Sequence, residues 1–342
     1  IKKTMNNLPL KLQSSETSFR IQLLSELNVI VQPEYKDPES NVPAETIIKA
    51  ICKILPSTVL PRYKDSASRQ YVLKLIKSII AGPYGATGFS SLLSAMRDHF
   101  SGWADVNFKP SPPNAKTAVM ALDWTFAISK LGLGKDSLPS ESELKKFLEL
   151  QSVLVTVVYG SAPGNSSISR LATRVTLMLH DMWKITANVI SEAIQNLEQS
   201  HKTLIYASYF INWLNDTKSQ NDEVFTKFGA ALKSQHIDIL VKAIVSAKTK
   251  THSHIILGIY PLLRRVNHEE FKDQLLPAML KAMLRNPEVI ITTIALMIGG
   301  LKIDMSNYAK DLGKPFASQL HAKDDEIREE AVSAVASLAK QC

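Results

Sequence analysis

An all-α chain, built as a solenoid of antiparallel helix pairs, is the fold class this sequence predicts. Apolar residues recur at helical spacing along nearly the whole chain, and period-two alternation is nearly absent. Glycine is scarce, at 13 in 342 residues. Helical segments, separated by capping and breaking residues, pair off about every 40 residues, the period of stacked helix-pair repeats. A hydrophobic content of 45% is ample for an extended core.

Taken in order, residues 1–15 lack clear periodicity and are expected to cap the array or fray. Helical segments then follow over 16–31, 44–59, 61–81, 87–100, 115–131, 141–159, 167–184 and 187–199. The series continues over 201–215, 221–233, 236–248, 253–266, 268–285, 288–300, 306–320 and 324–341, about eight antiparallel pairs. Pro61 suits a first helical position, and Gly82-Pro83 ends the third segment. Asn114 is expected to cap the fifth, and Ser140 with Glu143 has the spacing of a capping box. Gly132-Leu133-Gly134-Lys135 reads as a helix stop, too short to cradle a phosphate.

The last segment names the repeat type. Asp324, Asp325 and Glu326 suit the positive end of a helix dipole, and Ala331 and Ala334 let a neighbour approach beneath Ile327, Val335 and Leu338. That is the second helix of a HEAT repeat, so the fold class is an α-solenoid of HEAT-type pairs. The chain is expected to be one continuous array over 1–342, with a Pro-rich inter-repeat loop near 101–114 that does not mark a domain boundary. It begins with Ile and stops just after a helix without the polar cap arrays usually have, so a fragment of a longer solenoid is expected.

Most other classes find no support. The weakly polar run from Val289 to Leu301 is shorter than the roughly 20 residues of a membrane span, and there is no signal-peptide layout. Asn165-Ser166-Ser167 and Asn215-Asp216-Thr217 are therefore chance matches to the glycosylation sequon. Two cysteines, Cys52 and Cys342, make no disulfide or metal framework, as in a reducing cytoplasmic interior, and Cys52 lies between Ile51 and Ile54 as a core residue. His252 and His254 are two apart, a poor metal pair on a helix. Phosphate loop, nucleophile elbow and H-E-x-x-H motifs are missing from the sequence, so no catalytic, cofactor or metal residue is assigned and no enzyme or small-molecule substrate is expected.

Charge is more informative. The net charge is +8, and the excess lies in two blocks. Between Thr46 and Gly85, Lys49, Lys53, Arg62, Lys64, Arg69, Lys74 and Lys77 face a single acid, Asp65. Between Ile239 and His268, Lys242, Lys248, Lys250, Arg264 and Arg265 face none. Localised basic surface attracts nucleic acid by counterion release. Lysines on a helical array also serve simply as solvated faces, and Arg62, Arg69 or Arg264 could instead bridge repeats to Asp65 or Asp273. The candidate RNA contacts are Lys64, Arg69, Lys74, Lys77, Lys248, Lys250, Arg264 and Arg265, with Lys64, Lys74, Lys77, Lys248 and Lys250 preferred for having few acids near in sequence. Trp124, Trp183, Trp213, Tyr71, Phe147 and Phe210 occupy apolar helix positions and belong in the core; Trp103 and Phe108, in the Pro-rich connection, are expected to fold down onto the adjacent repeat.

One run of peptides is more specific than any repeat signature. Tyr260-Pro261-Leu262-Leu263-Arg264, His268-Glu269-Glu270-Phe271-Lys272-Asp273, Leu276-Pro277, Lys281 and Leu284-Arg285-Asn286-Pro287-Glu288 closely resemble the N-terminal part of the general control non-derepressible one family. Arg62 to Arg69, Ala121 to Thr125, Leu148 to Gln151, Asp304 to Ala309 and Leu338 to Cys342 resemble it in the same order, and the likeness is weakest before Glu45 and over 81–114 and 200–255. That family is the ribosome-associated HEAT-repeat activator of the kinase that phosphorylates initiation factor two during amino-acid starvation. The resemblance implies a cytoplasmic, ribosome-bound scaffold segment whose kinase-binding region lies outside this chain. The competing reading is a HEAT module that binds only proteins, as a transport carrier or phosphatase scaffold does; the basic balance counts against a carrier with an acidic groove.

Overall fold

The structure is a computed structural model that describes every residue except 1–4, 6, 36–41, 61, 106, 133–138, 163, 196–199 and 217–222, and omits some further side chains next to these, with those of 185 and 254. Pro61, Leu133-Gly134-Lys135 and His254 of the expectations above fall outside the described residues or side chains. Among the described residues the chain is helical with no strand, and it divides into two compact units, Ile1–Leu197 and Glu198–Cys342.

The first unit holds α1 (Leu8–Leu12), α2 (Thr17–Ile30), α3 (Ala44–Val59), α4 (Ser66–Ala81), α5 (Gly85–His99), α6 (Pro112–Gly132), α7 (Glu141–Gly160) and α8 (Ser166–Gln195). Each helix packs on the next but one: α2, α4, α6 and α8 form one layer, and α1, α3, α5 and α7 the other. This helical-repeat arrangement follows from the apolar stripes. In α3, Ile48, Ile51, Cys52, Leu55 and Val59 recur every three or four residues and are all buried. Helix α7 is buried nearly all round, with Phe147, Leu148, Leu154, Val155 and Val158 in the core. Its Ser152 and Thr156 hydroxyls satisfy themselves on the carbonyls of Leu148 and Ser152, at 2.8 Å each.

The second unit holds α9 (His201–Asp216), α10 (Glu223–Ser246), α11 (Ser253–Gly258), α12 (Tyr260–Leu263), α13 (His268–Glu270), α14 (Leu276–Arg285), α15 (Pro287–Gly300), α16 (Ala309–Gln319) and α17 (Asp325–Ala339). Its layers are α9 on α11 and α12, then α15, then α17, against α10 on α14 on α16. The approach of α12 to α15 is close because Gly300 has no side chain: a Cβ there would meet Leu263 Cδ1 at 2.8 Å and Tyr260 Cδ1 at 2.9 Å.

Several boundaries differ from those the sequence suggests. The segments expected separately at 167–184 and 187–199, and at 221–233 and 236–248, are continuous in α8 and α10. Neither junction contains glycine or proline, and Thr186 and His236 bond back to the carbonyls of Met182 and Leu232 at 2.8 Å within the helix. The segment 253–266 breaks instead at Ile259, ahead of Pro261, and 268–285 carries a π turn over Phe271–Leu275. The segment beginning at Pro61 starts at Ser66, where Asp65 accepts from the Ser68 N–H at 2.6 Å. Helix α6 is opened by Ser111 and not Asn114, with Pro112 and Pro113 filling positions that need no N–H donor. The capping box of Ser140 and Glu143 and the stop at Gly82 are present as read. The N-terminal residues do more than fray: Leu8 and Leu12 are buried, and the Tyr63 hydroxyl donates to the Leu12 carbonyl at 2.9 Å. In α17, Ala331, Ala334 and Leu338 are buried, but Val335 is exposed because α15 covers the alanine face.

Candidate functional site

Helix α4 carries the first basic block. Val72, Leu75, Ile76, Ile79 and Ile80 turn inward, so Lys74 and Lys77, three residues apart, emerge together on the solvent side, on the same face as exposed Gln70. Lys64, in the turn before α4, is exposed as well. Among the described residues, none of these three lysines has an ion-pair partner.

The arginines of the block are engaged. Arg62 donates to the Ser57 carbonyl at 2.9 Å at the C-terminal turn of α3, where a cation suits the negative end of the helix dipole. Arg69 donates from Nε to the Tyr63 carbonyl at 3.0 Å and bears on Asp123 of α6. Burial pushes the Asp123 carboxyl above its usual range, with Arg174 of α8, 2.8 Å away, and then Arg69 pulling it back. Asp65 serves Arg20 instead of a residue of its own block: the guanidinium of Arg20 is buried, lies 2.6 Å from Asp65 Oδ2, and donates to the Ser14 and Ser15 carbonyls at 2.7 and 3.1 Å.

In the second unit the block divides likewise. Lys248 is exposed with no ion pair among the described residues. Lys250, which the sequence leaves without nearby acids, is held at 2.9 Å by both Glu326 and Glu330 of α17, and those hydrogen bonds raise its pKa. The partners lie more than seventy residues away, beyond the reach of any local reading. Arg265 donates to Asn212 Oδ1 at 3.0 Å, and Arg264 is exposed beside Tyr209, whose hydroxyl is pushed up to about 12 by burial, with Arg264 opposing. The structure therefore gathers Lys64, Lys74 and Lys77 on one unit, keeps Lys248 and Arg264 exposed on the other, and ties down Arg69, Lys250 and Arg265.

The aromatics sort as their positions suggest, with one exception: Trp124, Trp183, Trp213, Phe147 and Phe210 are buried, while Tyr71 is only half-buried. Trp103 packs on Phe100 with centroids 4.6 Å apart and stacks on Phe108 at 5.4 Å, both Trp103 and Phe108 half-buried where the 3-10 turn Ser101–Ala104 meets α5 and α7. Cys52 is fully buried and its thiol is pushed up to about 12 by burial. Among the described residues no cluster of His, Cys, Asp and Glu could hold a metal, and no helix is long and apolar enough to cross a membrane. Sequence reading missed Arg20, although a basic residue three before Leu23, on the apolar stripe of α2, signals a paired buried charge. It also passed over Lys116, Arg170 and Arg174, which lie outside both blocks.

The layered helices define an all-α helical-repeat protein. Residues 233–342 match the family described as Stalled ribosome sensor GCN1 N-terminal. Over its whole length the chain is 28% identical to the stalled ribosome sensor GCN1 of Mus musculus and 27% identical to that of Homo sapiens, and it spans 12% of the length of each. It is also 32% identical over 109 residues to the protein ILITYHIA of Arabidopsis thaliana, covering 32% of this chain and 4% of that one. Together these matches support an N-terminal GCN1-family segment, the family reached above from the peptides around Tyr260 and Glu270.

Proposed function

We propose that this chain is a ribosome-associated scaffold segment of a translational-control protein, one that activates the initiation factor two kinase on amino-acid starvation or ribosome stalling. The observation that carries this reading is collinear similarity over the whole chain to proteins named stalled ribosome sensors. The kinase step belongs to regions outside this chain. This segment contributes packed helices and a set of exposed cations, Lys64, Lys74, Lys77, Lys248 and Arg264, for ribosomal RNA or acidic ribosomal protein. Arg69, Lys250 and Arg265 contribute less, since a cation already held by a carboxylate or amide must leave that partner to meet a new one.

The test is co-sedimentation of the purified chain with ribosomes at low and physiological salt, with circular dichroism as the folding control. Pelleting that weakens with salt and falls when Lys74 and Lys77 become Glu supports the reading. A folded, highly helical chain that stays in the supernatant at both salts refutes it and favours a protein-only module.

A further inference from the structure

A second basic surface lies in the unit Ile1–Leu197, at the edge where the helices of one layer begin. Cross-helix contacts fix its register. Arg20 near the start of α2 meets Ser68 of α4 at 3.3 Å, and Asn28 near the end of α2 meets Ser78 of α4 at 2.8 Å, so these helices run parallel. Asp123 meets Arg174 at 2.8 Å and Ser129 meets Met182 at 3.1 Å, so α6 and α8 run parallel too. Arg69 bears on Asp123, which sets Arg69, Asp123 and Arg174 at one level across α4, α6 and α8.

Lys116 and Arg170 precede Asp123 and Arg174 by about two helical turns and one, and Lys64 stands in the turn just before α4, so all three lie at the edge where these helices begin. All three are exposed, and none has an ion-pair partner among the described residues. Neighbouring helices lie about 8–10 Å apart, so the row extends across roughly 20 Å. The carboxylates at this edge are largely spoken for: Asp65 by Arg20 and Asp123 by Arg174, while exposed Asp105 accepts from the Asn107 N–H at 2.7 Å. The loop that leads into α6 adds exposed Lys109 and the half-buried stack of Trp103 on Phe108. Trp103 is also the one tryptophan of four that is not buried.

We propose that this edge binds single-stranded RNA laid across the helices, with Lys64, Lys116 and Arg170 on its phosphates and the Trp103–Phe108 pair stacking with a base. A row of unpaired cations fits any polyanion; the aromatic stack in the loop that leads into α6 favours a nucleic-acid strand over an acidic peptide, because every base has a face to stack. The proposal rests on the ribosome reading for its biological setting, but it concerns free RNA and is tested without ribosomes.

The test is fluorescence anisotropy of a labelled fifteen-residue oligouridine with the whole chain, titrated at several salt concentrations. Binding is expected to weaken with salt, and the triple variant Lys64→Ala/Lys116→Ala/Arg170→Ala to flatten the log-log salt slope by about 2, as loss of three phosphate contacts requires. Trp103→Ala is expected to weaken binding several-fold at unchanged slope, and oligouridine to quench tryptophan fluorescence in the parent chain but not in Trp103→Phe. All variants change exposed or half-buried residues, and circular dichroism verifies their folding. Equal binding by the triple variant and the parent overturns the proposal, as does preference for duplex RNA or displacement by polyglutamate as effective as by RNA. Ribosome pelleting without oligouridine binding sinks this inference and leaves the ribosome reading intact; oligouridine binding without pelleting does the reverse.

Discussion

Lys233 Nζ lies 2.7 Å from Glu270 Oε1, and the two side chains keep only 20% and 18% of their surface exposed. The other oxygen of Glu270 accepts from the Asn267 N–H at 2.9 Å, while Asn267 Oδ1 accepts from the Glu270 N–H at 2.8 Å. One carboxylate thus closes the capping box of α13 and pins it to α10, just ahead of the π turn at Phe271.

Glu270→Ala is therefore expected to remove a cap and leave a largely buried ammonium without its carboxylate, destabilising the unit Glu198–Cys342 by about 2–4 kcal/mol. Glu270→Gln keeps the cap and loses only the charge, so it should recover part of that. Urea unfolding of both variants measures the difference; equal losses would mean that the ion pair contributes nothing beyond the cap.

Asp65 supplies a pH dependence of known sign. Burial alone would push its carboxyl up, but the Ser68 N–H and hydroxyl and then Arg20 outweigh burial and hold it below the ordinary 3.8. A depressed carboxylate stabilises the fold above its unfolded value and loses that contribution as pH falls through the folded one. Stability should decline as pH drops below about 4, and Asp65→Asn should remove part of that decline. Thermal melts from pH 6 to pH 3 test it.

Gly85 opens α5 with its Cα facing the backbone carbonyl of Ile80, and an added Cβ would run into that carbonyl, which cannot swing away as a side chain could. Gly85→Ala should cost about 1–3 kcal/mol, whereas Gly102→Ala, with open space around it, should cost almost nothing. Comparing the two denaturation midpoints decides.

Only one of the two thiols should react in the folded chain. Cys342 is exposed, and Cys52 is buried with its thiol pushed up to about 12 by burial. At pH 8, Ellman's reagent is expected to titrate one thiol quickly and the second only after denaturation. Two fast thiols would show that the core around α3 opens readily.

Lys250 and Lys74 should separate in binding. Lys250→Ala is expected to cost about 1 kcal/mol of stability, since Lys250 and Glu326 are exposed and only Glu330 is largely covered, and to change ribosome pelleting less than Lys74→Ala does. An equal loss of pelleting from both would show that Glu326 and Glu330 release Lys250 on the ribosome.

Much of this molecule was legible in the chain. Three-and-four spacing of apolar residues determined the helices and their buried faces, because a stripe such as Ile48, Ile51, Leu55 and Val59 has one way to leave water. Ser140 with Glu143 announced its own cap, a contact three residues long. The peptides around Tyr260 and Glu270 pointed to the family. Tertiary structure alone decided what depends on residues distant in sequence. Lys250 looked unpartnered until α17 brought Glu326 and Glu330 to it, and Lys116 and Arg170 came to the same edge as Lys64 only through the stacking of α4, α6 and α8. Helix formation is dictated by nearest neighbours along the chain, whereas charge pairing follows distance in space, which stacking sets.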